Sequence, residues 1–242
     1  MTGEFYAQTS VSFSATRMAP WEGWARVLEE AQQLAREDAS LRVLDLACGN
    51  LRFERYLADA WAGPTHTYAF DSCDELVQAC EEAPAGTSYE HLDVLDALME
   101  RHDLSALLKV PACDLCVCFG FMHHVPLKEH REQLLRALVS CLRPGGLLAI
   151  SFWQLSKSER LLRKARSTTK IASAQLNLHD LGPNDYLLGW QDRSDVLRFC
   201  HDFDEAELDG LLAAVPDAHE IARFSADGST DKLNRYLLMC RT

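Results

Sequence analysis

The chain of 242 residues predicts an α/β fold: a seven-stranded, mostly parallel sheet with helices on both faces and an antiparallel C-terminal strand. Three observations predict it. Short apolar runs alternate with helical patterns from residue 41 to residue 153. Hydrophobic residues make up 48% of the chain, enough to build one core of this size. The last two apolar runs flank Asp227-Gly228, a hairpin signal that turns the end of the sheet antiparallel.

In order along the chain, residues 20–36 read as a helix. Pro20 suits a first helical position, and Trp21, Trp24, Ala25, Leu28, Ala31 and Ala35 recur at helical spacing. Strands are expected at 41–47, 65–71, 87–94, 113–120 and 146–153, with helices between them at 52–61, 73–82, 96–108 and 127–142. Arg143-Pro144-Gly145-Gly146 is a turn that ends one helix and starts a strand. The rhythm breaks after Trp153, and 154–194 reads as an insertion over one end of the sheet, with Gly182-Pro183-Asn184 as a loop signal. The tail resumes at 195–203, followed by a helix at 204–215 and strands at 219–226 and 232–241. No internal repeat interrupts this order, so residues 1–242 are expected to form a single domain.

Composition narrows the function. No apolar run approaches the ~20 residues of a membrane span, and the N-terminus lacks a basic flank before an apolar stretch. Nine scattered cysteines point to reduced thiols in a cytoplasmic protein. The net charge of −12 speaks against a general binder of long nucleic acid. Residues 151–170 run against that trend. They hold six cations (Lys157, Arg160, Arg163, Lys164, Arg166, Lys170) against Glu159, a local +5 that leaves −17 on the rest. Such a segment is a solvated basic face, an anion-binding surface or a lid.

Ligands of open parallel sheets bind outside the carboxyl ends of the strands, where the strand order reverses. The stretch from Val43 to Leu57, VLDLACGNLRFERYL, supplies a strand, a tight turn and a helix start there. Gly49 allows a close backbone approach. Ala47 and Leu51 stand where a three-glycine turn would have its first and third glycines. Asp45, Asp71 and Asp93 end three successive strands. Asp71 is placed for ribose hydroxyls and Asp93 for an adenine edge, although each alone is more often a cap or turn former. A dinucleotide needs its pyrophosphate against a glycine-rich helix start, which Leu51-Arg52 provides poorly. A sulfonium nucleoside has no phosphate to cradle and suits an acidic site such as Asp45 provides.

The stretches VLDLACGN, YAFDSCDEL, LDVLDAL, CDLCVCFGFMHHV and LRPGGLLAISFW resemble class I S-adenosylmethionine-dependent methyltransferases, a Rossmann-like family. The resemblance implies S-adenosyl-L-methionine as cofactor, held by Asp45, Ala47, Gly49, Asn50, Asp71, Ser72, Asp93, Val94 and Phe119. A narrower resemblance covers FYAQTSVSFSATRMAPW, FGFMHHVPLKEHREQLLRALVSCLRPGGLLAISFW, RFCHDFDEAEL and NRYLLMCR. These look like the tRNA methyltransferases that esterify carboxymethyluridine at the wobble position. In that family an N-terminal segment closes over the cofactor. Here it corresponds to residues 1–38, with Tyr6, Arg17 and Trp21 as its contacts. The family also works with a small activating partner protein, which no feature of this sequence shows or excludes. Cys200 and Asp202 depart from the family's tail motif, which is otherwise matched by Arg198, Phe199, His201 and Phe203.

A carboxylate acceptor is ionised at neutral pH and needs a cationic clamp rather than a base. Arg17, Arg198 and Arg235 are the candidate clamps, each with the plainer reading of a surface arginine. His123 is the candidate base for a hydroxyl or amine acceptor, and His201 a candidate substrate contact. For His123 and its neighbour His124 the plainer reading, one packing and the other capping the next helix, is the better one; for His201 a core or turn histidine is as good a reading. Cys116 and Cys118 share one strand face and Cys113 takes the other, so no metal site is expected. The acceptor is expected to be tRNA. The alternatives are a small-molecule carboxylate or hydroxyl, or a non-catalytic cofactor-binding protein.

Overall fold

The alternation of runs is built as read. β1 (Leu41–Leu46), β2 (Thr65–Asp71), β3 (Thr87–His91), β4 (Cys113–Cys118) and β5 (Leu142–Trp153) lie parallel. β8 (Ala218–Ala226) and β9 (Asn234–Arg241) complete the sheet, β9 running antiparallel to both β5 and β8. The order is β3-β2-β1-β4-β5-β9-β8, so direction of progress reverses between β1 and β4. These are features of a computed structural model that describes residues 1–16, 18–35, 40–80, 82–191 and 193–242.

Alternate residues of each strand feed two cores. Leu44, Leu46, Cys116, Cys118, Leu148 and Ile150 face α5 (Val94–Met99), α6 (Leu104–Leu107), α7 (Lys128–Cys141) and α9 (Glu205–Ala213). Val43, Leu115, Val117, Leu147 and Ala149 face α2 (Gly23–Leu34) and α3 (Arg52–Ala60). Each fully buried Leu or Val contributes about 1.5–3 kcal/mol.

The boundaries correct several expectations. The run at 73–82 is helical only over α4 (Asp74–Gln78). The run at 96–108 breaks into α5 and α6, because Arg101 adopts φ 60° and Asp103 caps a new helix through a bond to the Ser105 N–H at 3.0 Å. The Arg143–Gly146 turn lies inside β5 as an irregularity: Cys113 pairs with Leu142, but Leu115 pairs with Leu147. Cys113, at the start of β4 beside this irregularity, packs in the same core as Cys116 and Cys118, so it does not take the opposite face.

Two further units were not legible. Residues 2–15 form α1 (Thr2–Ala15). The insertion is α8 (Glu159–Leu176) followed by a separate two-stranded hairpin of β6 (Asp185–Trp190) and β7 (Arg193–His201), so it extends past residue 194. α8 lies along the open edge of β6, where the Thr169 hydroxyl accepts from the Leu187 N–H at 2.9 Å. α1 packs on the other side of the hairpin through Phe5, Trp190 and Val196.

Asp227 is more than a turn residue. It is buried, and its carboxylate accepts from the Gly23 N–H at 3.2 Å, Asn234 Nδ2 at 2.8 Å and Tyr236 Oη at 2.5 Å, tying the start of α2 to β9. A Cβ on Gly23 would lie 2.5 Å from the Tyr236 ring, so only glycine fits there. Among the described residues no helix is long and apolar enough to cross a membrane.

Candidate active site

A cleft of about 1140 Å³, counting its mouth, opens at the carboxyl ends of β1, β2 and β4, where the strand order reverses. Its floor is the turn between β1 and α3. That turn runs through three left-handed residues, Ala47 (φ 63°), Gly49 (φ 58°) and Leu51 (φ 55°). The backbone is thus that of a glycine-rich turn although two of the glycines are absent. Leu51 does not obstruct the cleft. Its side chain is 1% exposed and packs with Cys48 and Ala69 beneath the loop. No heavy atom lies within 4 Å of where a Cβ on Gly49 would sit, so that position is open to a ligand.

Three carboxylates meet the loop. Asp71 holds it in place, with Oδ2 accepting from the Gly49 N–H and Oδ1 from the Cys73 N–H, both at 2.8 Å. Burial raises the Asp71 pKa, and these backbone donors oppose the rise. Asp93 caps α5 by accepting from the Asp96 N–H at 3.0 Å while also lining the cleft. Asp45 is 2% exposed, and its carboxyl is held well above its usual range by burial and by the neighbouring Glu54. Glu54, from α3, is equally buried and faces Asp45. Burial pushes it up to about 7, so a proton resides on the pair near neutral pH.

Aromatic side chains form the walls. Trp21 and Phe119 flank the end of the cleft next to the β1–α3 turn, their ring centroids 6.4 Å apart, and the Arg52 guanidinium lies 5.0 Å from Trp21. At the other end His123 is stacked on Trp153, 3.9 Å between centroids and 7° from coplanar. Both ring nitrogens of His123 lack a partner among the described residues, and the residue is 1% exposed. Burial, reinforced by His124 and Arg198, holds its pKa well below the ordinary histidine value.

α1 closes this end. Tyr6 Oη lies 2.8 Å from His124 Nε2, and His124 Nδ1 lies 2.7 Å from the Phe199 carbonyl oxygen. A carbonyl only accepts, so Nδ1 carries the proton and Nε2 accepts from Tyr6. Burial keeps His124 neutral, with a pKa near 3. Arg198 of β7 donates to Tyr6 Oη at 3.3 Å and sits 4.7 Å from the Phe5 ring and 5.2 Å from Trp153. It is 5% exposed, its Nε is unbonded, and it has no carboxylate partner among the described residues.

His123, His124 and Cys200 place ligand-type atoms within 4.8 Å of one another. They suit a cation poorly, because His124 has both nitrogens engaged and the Arg198 charge faces the group.

Of the residues expected at the site, Tyr6, Trp21, Asp45, Ala47, Gly49, Asn50, Asp71, Ser72, Asp93, Val94, Phe119, His123 and Arg198 all line this cleft. Arg17 lies outside the described residues. His201 stands away from the cleft. Its Nδ1 is 2.6 Å from Asp185 and its Nε2 2.8 Å from Glu207, and Glu207 also pairs with Arg131 at 3.0 Å. Arg235 likewise pairs with Glu205 at 3.0 Å, outside the cleft. His124, which the sequence offers only together with His123 as a base or a packing residue, lines the cleft as well. Trp153 and Glu54 went unmarked. The rule that sites lie beyond strand ends points to Trp153, which ends β5. Nothing local points to Glu54.

The sequence pattern of a family described as a methyltransferase domain matches residues 18–215. The chain belongs to this methyltransferase-domain family. A putative methyltransferase of Encephalitozoon cuniculi is 28% identical over 88% of this methyltransferase and 84% of its own length. The tRNA (carboxymethyluridine(34)-5-O)-methyltransferase ALKBH8 of Macaca fascicularis is 26% identical over 64% of this chain, which spans only 20% of that protein. An S-adenosylmethionine-dependent methyltransferase structure from Methanosarcina mazei superposes with a TM-score of 0.62 at 15% identity, covering 87% of this chain and 95% of that one. That likeness is one of fold: the Rossmann-like sheet is shared.

Proposed function

We propose that this S-adenosylmethionine-dependent methyltransferase esterifies a carboxylate, the carboxymethyl group of a tRNA wobble uridine. Arg198 carries the reading. A buried guanidinium with no counter-charge costs several kcal/mol, and an anionic acceptor removes that cost. The relatives named for carboxymethyluridine support the choice of anion.

The cleft suits the cofactor: an open Gly49, an acidic floor and aromatic walls. Asp45, Ala47, Gly49 and Asn50 would hold its methionine part, Asp71 and Ser72 its ribose, and Asp93 and Val94 its adenine. Tyr6, Trp21 and Phe119 cover it, with residues 1–38 as the covering segment of one domain. Bound there, S-adenosylmethionine supplies an electrophilic methyl group on a sulfonium. Arg198 would hold and orient the acceptor carboxylate. That acceptor is already ionised, so these residues would need to move no proton. His123 is then a neutral wall of the pocket. Its low pKa makes it a weak base, which favours a carboxylate over a hydroxyl or amine acceptor.

The net charge of −12 favours the second reading, a small-molecule carboxylate. Labelled methyl transfer to total tRNA and to a small-molecule extract separates the two. The expected result is label in tRNA that mild alkali releases as methanol, lost in Asp71→Ala. Arg198→Gln is expected to lower kcat/KM by 100-fold or more, about 3 kcal/mol, with cofactor affinity retained. Alkali-stable label, or label in small molecules alone, overturns the tRNA ester. If the isolated chain binds cofactor but transfers nothing, adding cell extract tests for the small activating partner.

A further inference from the structure

We infer that the outward face of α8 is the docking surface for the sugar–phosphate backbone of the RNA substrate. The inference rests on the tRNA reading above and adds to it the place where the rest of that RNA lies.

α8 is not a lid, since none of its residues lines the cleft. Its inner side is occupied. Ala165 and Ala172 are buried, Leu161 and Leu162 pack with Tyr186, Leu188 and Cys200 of the hairpin, and Thr169 binds the β6 edge. The opposite arc carries Arg160, Arg163, Arg166 and Lys170, all exposed, with Lys157 just before the helix. None of the five forms an ion pair among the described residues, although the rest of the chain carries a net charge of −17. Successive members lie three or four residues apart, where like charges destabilise a helix by about 0.2–0.5 kcal/mol per pair. An acidic protein that keeps an unpaired cationic row at this cost presents it to an anion.

The form of the row selects the anion. From Arg160 to Lys170 it runs about 15 Å along the helix axis, too long for one carboxylate and suited to successive phosphates. A membrane-surface helix needs a continuous free apolar face; Leu161, Leu162, Ala165 and Ala172 of α8 are turned to the hairpin, and its exposed large apolar residues, Ile171 and Leu176, are five positions apart and form no such face. The row also begins beside the acceptor end of the cleft: Trp153, which lines the cleft, packs in the same cluster as Leu161 and Leu162. An RNA with one base in the cleft can therefore reach α8, and a small metabolite cannot.

The test is binding of total tRNA between 50 and 200 mM KCl by the full chain and by the variant R160Q/R163Q/R166Q/K170Q. Each lost phosphate contact lowers the slope of log K against log salt by about 0.7–0.9. With all five cations engaged the wild type is expected to lose roughly 100–500-fold in affinity over this range, and the variant, left with Lys157, only about 3-fold, from a weaker start. Its thermal midpoint, its cofactor affinity and its turnover of free carboxymethyluridine nucleoside should match the wild type. A lysine-for-arginine variant at the same three arginines should keep most of the binding. Equal slopes for wild type and variant overturn the inference. So does a wild type that binds no tRNA, or one that binds anionic phosphatidylserine vesicles through α8 instead. Cofactor binding is read separately, so loss of the methyltransferase reading is distinguishable from loss of the docking surface.

Discussion

Ala47 and Leu51 sit in a backbone region that costs residues other than glycine about 1–2 kcal/mol. They respond differently to relief. Ala47→Gly is expected to raise stability by about 0.5–1 kcal/mol, read as a higher urea midpoint. Leu51→Gly relieves the same strain but removes a side chain buried against Cys48 and Ala69, and is expected to lower stability by about 1–3 kcal/mol. Equal gains at both sites would contradict the packing role given to Leu51. Glu54 poses the opposite case. Its pKa rises from 4.5 to about 7 on folding, so the folded state binds more protons than the unfolded state between those values. Stability therefore falls as pH rises through that window and stays reduced above it. Glu54→Gln, whose amide can donate to Asp45, is expected to flatten this fall and to recover up to about 3 kcal/mol at pH 8 in cofactor-free protein. Urea midpoints at pH 5, 6, 7 and 8 check it, and parallel curves for the two proteins would refute it.

At the scale of elements, the β6–β7 hairpin organises the His123–Trp153 end of the cleft and is itself held by a charge cluster. His201 joins Asp185 of β6 to Glu207 of α9, and Arg131 of α7 completes the group. Burial alone would lower the His201 pKa, but the bonds to the two carboxylates outweigh it and raise the value above 6.5. The stabilisation is therefore fully present below pH 6.5 and is lost as pH rises through the raised value. His201→Gln is expected to cost about 1–3 kcal/mol at pH 6 and clearly less at pH 9, from paired denaturation curves. A cost independent of pH would show that the imidazolium is not the bonded form. Neither the hairpin nor α1 was legible locally. The hairpin turns at Gln191 (φ 50°) without an Asn-Gly or Asp-Gly signal. α1 buries Thr9, Ser10 and Ser14 beside Phe5, a mixture with no apolar stripe to read.

For the whole molecule, the amino-acid sequence by itself determined the parallel sheet, its strand–helix alternation and the loop on which the cofactor end is built. Those features arise from residues near one another in the chain: strand-length apolar runs, helical spacing, and an Asp at each strand end. Even the left-handed turn was marked by Gly49, although the same conformation at Ala47 and Leu51 was not. The end of the cleft lined by Tyr6, His124 and Arg198 was decided only by tertiary structure. Tyr6 meets His124 across 118 positions and Arg198 across 192. The hairpin carries Arg198 into the cleft and turns His201 away from it, as an odd separation along one strand requires, but which of the two faces meets the cleft was set by its packing. A side chain's periodicity reports which neighbours share its face, not which distant segment will pack against that face. Burial without a counter-charge, the property that makes Arg198 informative, exists only once those segments have met.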